Sequence, residues 1–187
     1  MKFKAIIIVS GMLAVAACGQ KNEAANSDVN VVTDNGTVVN AAAESSPLTS
    51  QGFANAAAAS DKFEIETSKL AAGSAQSAAV KSFAAKMITA HTASTAKLKA
   101  AAATLSPAVT PDDRLSSDQQ QKLDTLKGLH GADFDTAYAS AQVDAHQAAL
   151  DALNGYAASG DNATLKDMAK GMIPTVTAHL NMAKSLK

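Results

Sequence analysis

Three of the four histidines in the sequence follow one short pattern, a β-branched residue, any residue and then alanine. The pattern occurs as ITAH, VDAH and VTAH, which end at His91, His146 and His179. Neutral imidazole is the commonest metal-binding side chain, and three imidazoles with a carboxylate or a water suit Zn²⁺ and, less selectively, Cu²⁺, Ni²⁺ or Fe²⁺. If the three rings meet, we therefore expect a site for a single transition metal ion such as Zn²⁺.

The apolar periodicity around these histidines predicts that they point to the same space. At about 100° per residue, His91 lies in the middle of an apolar helical stripe, and His179 lies on the buried side of another helix. His146 falls near the edge of a third apolar arc. The alanine before each histidine keeps the helix surface low, so that three rings can share one space without overpacking. His130, in a predicted turn, is expected to be solvated.

A carboxylate for the same site is offered by the stretch FEIE, which carries Glu64 and Glu66, the only glutamates after residue 50. We predict Glu64 as the fourth ligand. Two alternatives stay open at this point. Either glutamate can instead pair with a lysine on the next helix, which is the more usual role of a flanking carboxylate. The histidines can also serve packing alone, each hydrogen-bonded to a carbonyl, hydroxyl or carboxylate.

Several classes of activity are excluded by the residues that the sequence lacks. A dinuclear carboxylate centre needs Glu-x-x-His motifs, and the residues three positions before the histidines are Ile88, Val143 and Val176. The chain has no Gly-x-Ser-x-Gly motif and no phosphate-binding glycine loop. We therefore expect no di-iron centre and predict no catalytic residue, which leaves a metal-dependent enzyme as the least favoured alternative. A net charge of -1 gives no basic excess for nucleic acid.

The composition favours a helical domain, because 47% of the residues are hydrophobic but only 4% are aromatic, so that alanine dominates. A short helix beginning at a capping box formed by Ser117 and Gln120 is expected between the second and third long helices. Pro174 should kink the last helix, as a bend that follows the bundle rather than as a functional hinge. We predict an all-α, antiparallel four-helix bundle over residues 51–187, with long helices over residues 51–72, 75–105 and 133–158 and from Asp161 or Asn162 onward.

The N-terminus has the layout of a secretory signal, with two lysines, an apolar run and then small residues. The run is shorter than the about 20 residues that a membrane-spanning helix needs. Residues 15–18, VAAC, resemble the lipobox of bacterial lipoproteins, which implies removal of residues 1–17 and acyl chains on Cys18 as a membrane anchor. An ordinary signal peptide is the alternative. Gly19 after the cysteine implies, by the same resemblance, the periplasmic face of the outer membrane in a Gram-negative cell.

Residues 18–50 are rich in Asn, Ser, Asp and Thr and lack aromatic residues, which predicts a disordered tether. A local hairpin around Asn35 and Gly36 is the alternative. We favour the tether, because a lone two-stranded hairpin is marginally stable in water.

Four stretches in the domain resemble the domain-of-unknown-function 4142 family of bacterial exported proteins: FEIETSKLA, VKSFAAKMITAH, GADFDTAYASAQVDAH and IPTVTAHLNMAKSL. The resemblance covers most of residues 51–187 and implies a ferritin-like bundle in the cell envelope, without a reaction. Family members usually carry Asp directly before the first two histidines, where this chain has Ala90 and Ala145. The sequence thus predicts a non-enzymatic envelope lipoprotein with one metal site, and a structural or protein-interaction module as the alternative.

Overall fold

The computed structural model describes residues 30–32, 38–40 and 48–186. Over these ranges the chain forms five helices and one pair of strands. The strands, β1 Asn30–Val32 and β2 Val38–Asn40, are antiparallel. The helices are α1 Ser50–Ser74, α2 Ala78–Ala103, α3 Ser117–Lys127, α4 Gly131–Ser159 and α5 Ala163–Lys184. No helix in the described part of the chain is long and apolar enough to cross a membrane.

The four long helices form the predicted bundle, with α1 packed on α2, α4 on α5, α1 on α4 and α2 on α5. A bridge between Ala75 and Gly131 places the end of α1 beside the start of α4. At the opposite end of the bundle, the amide of Asp161 donates to the carbonyl of Leu48. The connection from α2 to α4, which contains α3, therefore runs back along the whole bundle. One such long crossover is the topology of ferritin-like proteins.

Side-chain caps fix most helix starts in the bundle. Asn162 caps α5, as one of the two predicted residues. The capping box of α3 is formed by Ser116 and Gln119, one residue before the predicted pair. The shift arises because the side chain of Gln120 is engaged elsewhere and donates to Asp124 inside the helix. The helix was therefore predicted at the correct position in the chain, but its capping box was predicted one residue too late.

The strand pair falls in the segment that the sequence predicted to be a tether, and it corresponds to the hairpin alternative. Val31 faces Val39 across the pair. Cys18, the signal sequence and most of residues 18–47 lie outside the described residues. In α5, the helix continues through Pro174 from Ala163 to Lys184.

The buried side chains divide the bundle into two apolar ends and a polar middle layer. One end is built around Phe63, Phe134 and Tyr138, and the other around Phe53 and Tyr156. Between them lie the buried polar side chains, which are Asp61, Glu64, Thr67, Ser68, His91, Gln142, His146 and His179. Buried polar groups are costly unless they are paired, so this layer is the natural place to look for a function.

Two glycines near the end of α4 offer a matched test of the packing there. A Cβ at Gly160 would lie 2.7 Å from ring atoms of Tyr156, and that ring is held by stacking on Phe53 at 4.1 Å between centroids. We expect Gly160→Ala to lower the free energy of unfolding by about 1–3 kcal/mol. At Gly155 nothing lies within 4 Å of the added atom, so Gly155→Ala should instead raise it by about 0.5–1 kcal/mol. Urea unfolding followed by circular dichroism checks both, and equal effects would contradict the packing argument.

Candidate metal site

Three histidines from three helices meet in the polar layer. His91 comes from α2, His146 from α4 and His179 from α5. The ring centroids form a nearly equilateral triangle with sides of 5.6, 5.7 and 5.5 Å. One ring nitrogen of each histidine lies within 4.8 Å of the corresponding nitrogens of the other two. The structure therefore brings together the three histidines of the ITAH, VDAH and VTAH stretches, while His130 lies exposed at the start of α4.

Hydrogen bonds orient two of the three rings. Nδ1 of His91 lies 2.8 Å from Oδ1 of Asp61, and Oδ2 of Asp61 accepts from the hydroxyl of Thr95 at 3.0 Å. Nδ1 of His146 donates to the backbone carbonyl of Gln142 at 2.8 Å. A neutral ring that donates through Nδ1 carries its lone pair on Nε2. Both rings are thus held with Nε2 available as a ligand atom.

Each of the three rings also has one nitrogen without a hydrogen-bond partner among the described residues. Among the described residues, Nε2 of His91, Nε2 of His146 and Nδ1 of His179 are buried without a hydrogen-bond partner. A buried polar group left without a partner costs about 1–3 kcal/mol, and most folded proteins have few of them. Each of the three clustered rings therefore carries one such nitrogen. His179 differs from the other two because no carboxylate or carbonyl of the described residues is hydrogen-bonded to its Nδ1.

The protonation of the rings follows from burial and from the neighbouring charges. Burial, with a smaller contribution from the charge of His91, lowers the pKa of His146 to about 4 and that of His179 to about 4. Burial acts in the same direction on His91, but the hydrogen bond to Asp61 and the negative charges of Glu64 and Asp61 outweigh it, so its pKa is raised. At neutral pH, His146 and His179 are therefore neutral, which is the form that binds a metal ion.

The two glutamates predicted near the site lie in different surroundings. Glu64 is 1% exposed, and its Oε1 lies 3.4 Å from Nδ1 of His146. Glu64 thus stands beside the nitrogen of His146 that donates to Gln142. Burial raises the pKa of Glu64 to about 7. Glu66 forms an ion pair with Lys69 of the same helix at 2.8 Å, whereas the alternative considered from the sequence was a lysine on the second helix.

Comparison with known proteins identifies the family. The family model described as a domain of unknown function, DUF4142, matches residues 36–186. The chain belongs to this family. No curated protein matches the chain.

Two solved structures share the fold. One is described as CopM in the Ag-bound form, with a TM-score of 0.60, 15% identity and coverage of 73% of this chain and 93% of that one. The other is described as CopM in the Cu(II)-bound form, with a TM-score of 0.62, 16% identity and coverage of 73% and 94%. At this identity the likeness establishes the helical-bundle fold of this member of the DUF4142 family, and no more.

Asp61 is the site residue that the sequence analysis missed. On α1, Ala56 is exposed, and the buried face runs through Ala58, Asp61 and Glu64. The run ANAAAAS has too little contrast in hydrophobicity to define a face. The available signal was the spacing of Asp61, Glu64 and Ser68 at intervals of three and four, which aligns them on one face.

Helix α1 supplies carboxylates beside the two histidines that lack the preceding Asp of the family pattern. Where family members usually have Asp, this chain has Ala90 and Ala145, and the carboxylates beside His91 and His146 come from α1 instead. Gln142 is a second residue that sequence reasoning missed. It is fully buried, and its side-chain amide donates to Thr67 of α1 at 3.1 Å.

Proposed function

We propose that the protein binds a single transition metal ion in the middle of its bundle, without catalysing a reaction. The ligands in this proposal are Nε2 of His91, Nε2 of His146 and Nδ1 of His179. One observation carries it: three rings from three helices each have a buried nitrogen without a hydrogen-bond partner among the described residues, and one nitrogen of each ring lies within 4.8 Å of one nitrogen of each of the others. Metal–nitrogen bonds of about 2.0–2.1 Å place the ligands of a tetrahedral ion about 3.3 Å apart. Each ring therefore needs to move inward by only about 1 Å.

The surroundings of the histidines support a cationic ligand. Asp61 holds His91 from behind, and Glu64 lies behind His146. A carboxylate behind a ligating imidazole fixes its tautomer and raises its basicity. The two carboxylates also balance the charge of a buried divalent ion, which would otherwise be costly to remove from water. Glu64, predicted from the sequence as a direct ligand, acts in this proposal through His146.

Copper is the ion that we favour, with Zn²⁺ as the next choice. Three neutral imidazoles suit both ions. For a given set of nitrogen ligands, divalent first-row metals bind most tightly at Cu²⁺. The Cu(II)-bound and Ag-bound CopM structures, which share the fold, make copper and Ag⁺ the natural ions to compare.

A titration of the metal-free protein tests the proposal. We expect Cu²⁺ to bind with a stoichiometry of one ion per chain and to raise the melting temperature. At a free ion concentration 100 times the dissociation constant, the stabilisation is about 2.7 kcal/mol. His130→Ala should behave as the wild type, because this histidine lies outside the group. If Cu²⁺, Zn²⁺ and Ag⁺ all leave the melting temperature unchanged, the histidines serve packing alone.

We further propose that the bundle is exported and anchored to a membrane through acyl chains on Cys18. The support comes from the sequence, where this single cysteine follows an apolar run and small residues. In a Gram-negative cell, Gly19 favours the outer membrane, with the bundle facing the periplasm. The protein would then hold its metal ion in the envelope.

Metabolic labelling checks this anchor. Labelled fatty acid should enter the wild-type protein and should be absent from Cys18→Ser, which should also leave the membrane fraction. The result follows because the acylated thiol is the only one in the chain. Equal labelling of the two proteins, or labelling of neither, would contradict lipidation at Cys18.

A further inference from the structure

A cavity of about 230 Å³ lies between α1 and α4, beside the polar layer. Residues of α2, α3 and α5 complete its lining. Alanine, whose side chain ends at Cβ, is the commonest residue in its wall, at Ala56, Ala57, Ala141, Ala145, Ala148, Ala149 and Ala152. Because alanine cannot reach across the space between two helices, the void follows directly from the composition. Of the three clustered histidines, only His91 lines the cavity, so the space adjoins the proposed metal site through one of its ligands.

The charged groups around this cavity are mostly acidic. Asp61 lies at the end that meets His91. Asp118, Lys122 and Asp144 line the side formed by α3 and α4, where Lys122 contacts Asp118 at 3.2 Å and Asp144 at 3.5 Å. Three carboxylates and one ammonium leave a surplus of two negative charges when His91, which also lines the cavity, is neutral, and of one when it is protonated. A cation is favoured in such a space and an anion is disfavoured.

We propose that the cavity binds a small organic cation with an apolar body, such as an aryl or alkyl primary amine. The body lies against the alanine wall and against Phe53 and Leu153, which also line the space. The ammonium group points toward Asp61. The carboxylate of Asp61 accepts one hydrogen bond from His91 and one from Thr95, and a carboxylate can accept about four. It therefore keeps acceptor capacity for a ligand in the cavity.

Three probes that share a ring and differ in the polar group test the proposal: benzylamine, benzyl alcohol and benzoate. Binding is measured on the metal-free protein in the presence of a chelator, by NMR of labelled alanine methyl groups. We expect benzylamine to give saturable shifts at the lining alanines and to bind about tenfold more tightly than benzyl alcohol. Benzoate should give none. Equal binding of benzylamine and benzoate, or no saturable shift with benzylamine, overturns the proposal.

Cavity-filling variants locate the binding. Ala149→Leu and Ala56→Leu place a larger side chain in the space, and Ala56 is exposed, so its replacement is tolerated by the fold. Ala85→Leu is the matched control, because Ala85 is exposed on α2 and does not line the cavity. Both filled variants should lose benzylamine binding and keep the copper affinity of the wild type. If either folded variant binds benzylamine as the wild type does, the cavity is not the site. Because the probes are tested without metal, failure here leaves the metal proposal intact.

Discussion

His146→Ala is expected to abolish the rise in melting temperature that a bound metal ion produces. His146 is 1% exposed, its Nδ1 donates to the carbonyl of Gln142, and burial keeps the ring neutral by lowering its pKa to about 4. Its ring lies 5.6 Å from that of His91 and 5.5 Å from that of His179. His146→Ala therefore removes an oriented, neutral ligand from the three-histidine group. Most of the stabilisation of about 2.7 kcal/mol at saturating ion should therefore disappear.

The other two histidines should differ from each other. His91 is oriented by Asp61, so we expect His91→Ala to weaken binding as strongly as His146→Ala. No hydrogen bond among the described residues orients Nδ1 of His179, and ordering this ring on binding costs conformational entropy. His179→Ala leaves two oriented nitrogens and should retain the weak binding of a two-coordinate site. Isothermal titration with Cu²⁺ measures all three variants.

The control for this series is His130→Ala, which should bind copper as the wild type does. If the three histidines serve packing alone, replacing each of them would lower the melting temperature of the metal-free protein by a similar amount. The response to added metal would then be unchanged. Equal copper binding by His146→Ala and the wild type would exclude the proposed ligand set.

The fold could be predicted because periodicity and caps are local properties of the chain. The apolar stripe around Val80, Met87 and Leu98 defines α2 clearly, and all three residues are buried. Asn162 marks the start of α5 in the same way. The antiparallel packing of α1 on α2 and of α4 on α5 could be predicted too, because a short connection joins the two helices of each pair. Only the family resemblance, however, indicated the ferritin-like topology with its long crossover.

The grouping of the three histidines was predictable, but the residues that support them were not. His91 and His179 lie on well-defined apolar stripes, whereas His146 was expected near an edge and is almost fully buried. The rotation of α1 decides which of its polar groups enter the core, and the alanine run before Asp61 gives no contrast that fixes this rotation. Asp61 therefore could not be assigned to His91, and the position of Glu64 behind His146 depends on distances that no sequence pattern contains.

Glu64→Gln is expected to change the stability of the metal-free protein in a pH-dependent way. Burial raises the pKa of Glu64 from 4.5 to about 7, so the folded state holds this proton more tightly than the unfolded state does. The resulting stabilisation is fully present below pH 4.5 and is lost as the pH rises to about 7. A pKa shift of this size corresponds to a change of about 3 kcal/mol in the free energy of unfolding. Because glutamine is neutral at every pH, Glu64→Gln should equal the wild type near pH 4.5 and be more stable at pH 8 by about this amount.

The same substitution should have the opposite effect on metal binding. In the proposed site, ionised Glu64 provides negative charge behind His146, and loss of a carboxylate behind a metal ligand typically weakens binding by about 10- to 100-fold. His146 and His179 destabilise the protein as the pH falls from 6.5 to about 4, because burial lowers their pKa. This pH dependence of stability is present in the wild type and in Glu64→Gln. The difference in stability between the two proteins therefore reports the effect of Glu64.

Glu66→Gln is the matched control for both measurements. Glu66 lies on the same helix, but its side chain is 40% exposed and pairs with Lys69, and an exposed ion pair contributes at most about 1 kcal/mol. Its replacement should change stability little at any pH and should leave copper affinity unchanged. Urea unfolding from pH 4.5 to 8 and copper titration at neutral pH make the comparison. If Glu64→Gln is no more stable than the wild type at pH 8, the argument from the raised pKa of Glu64 is wrong. If Glu64→Gln is more stable but binds copper as tightly as the wild type, Glu64 takes no part in the metal site.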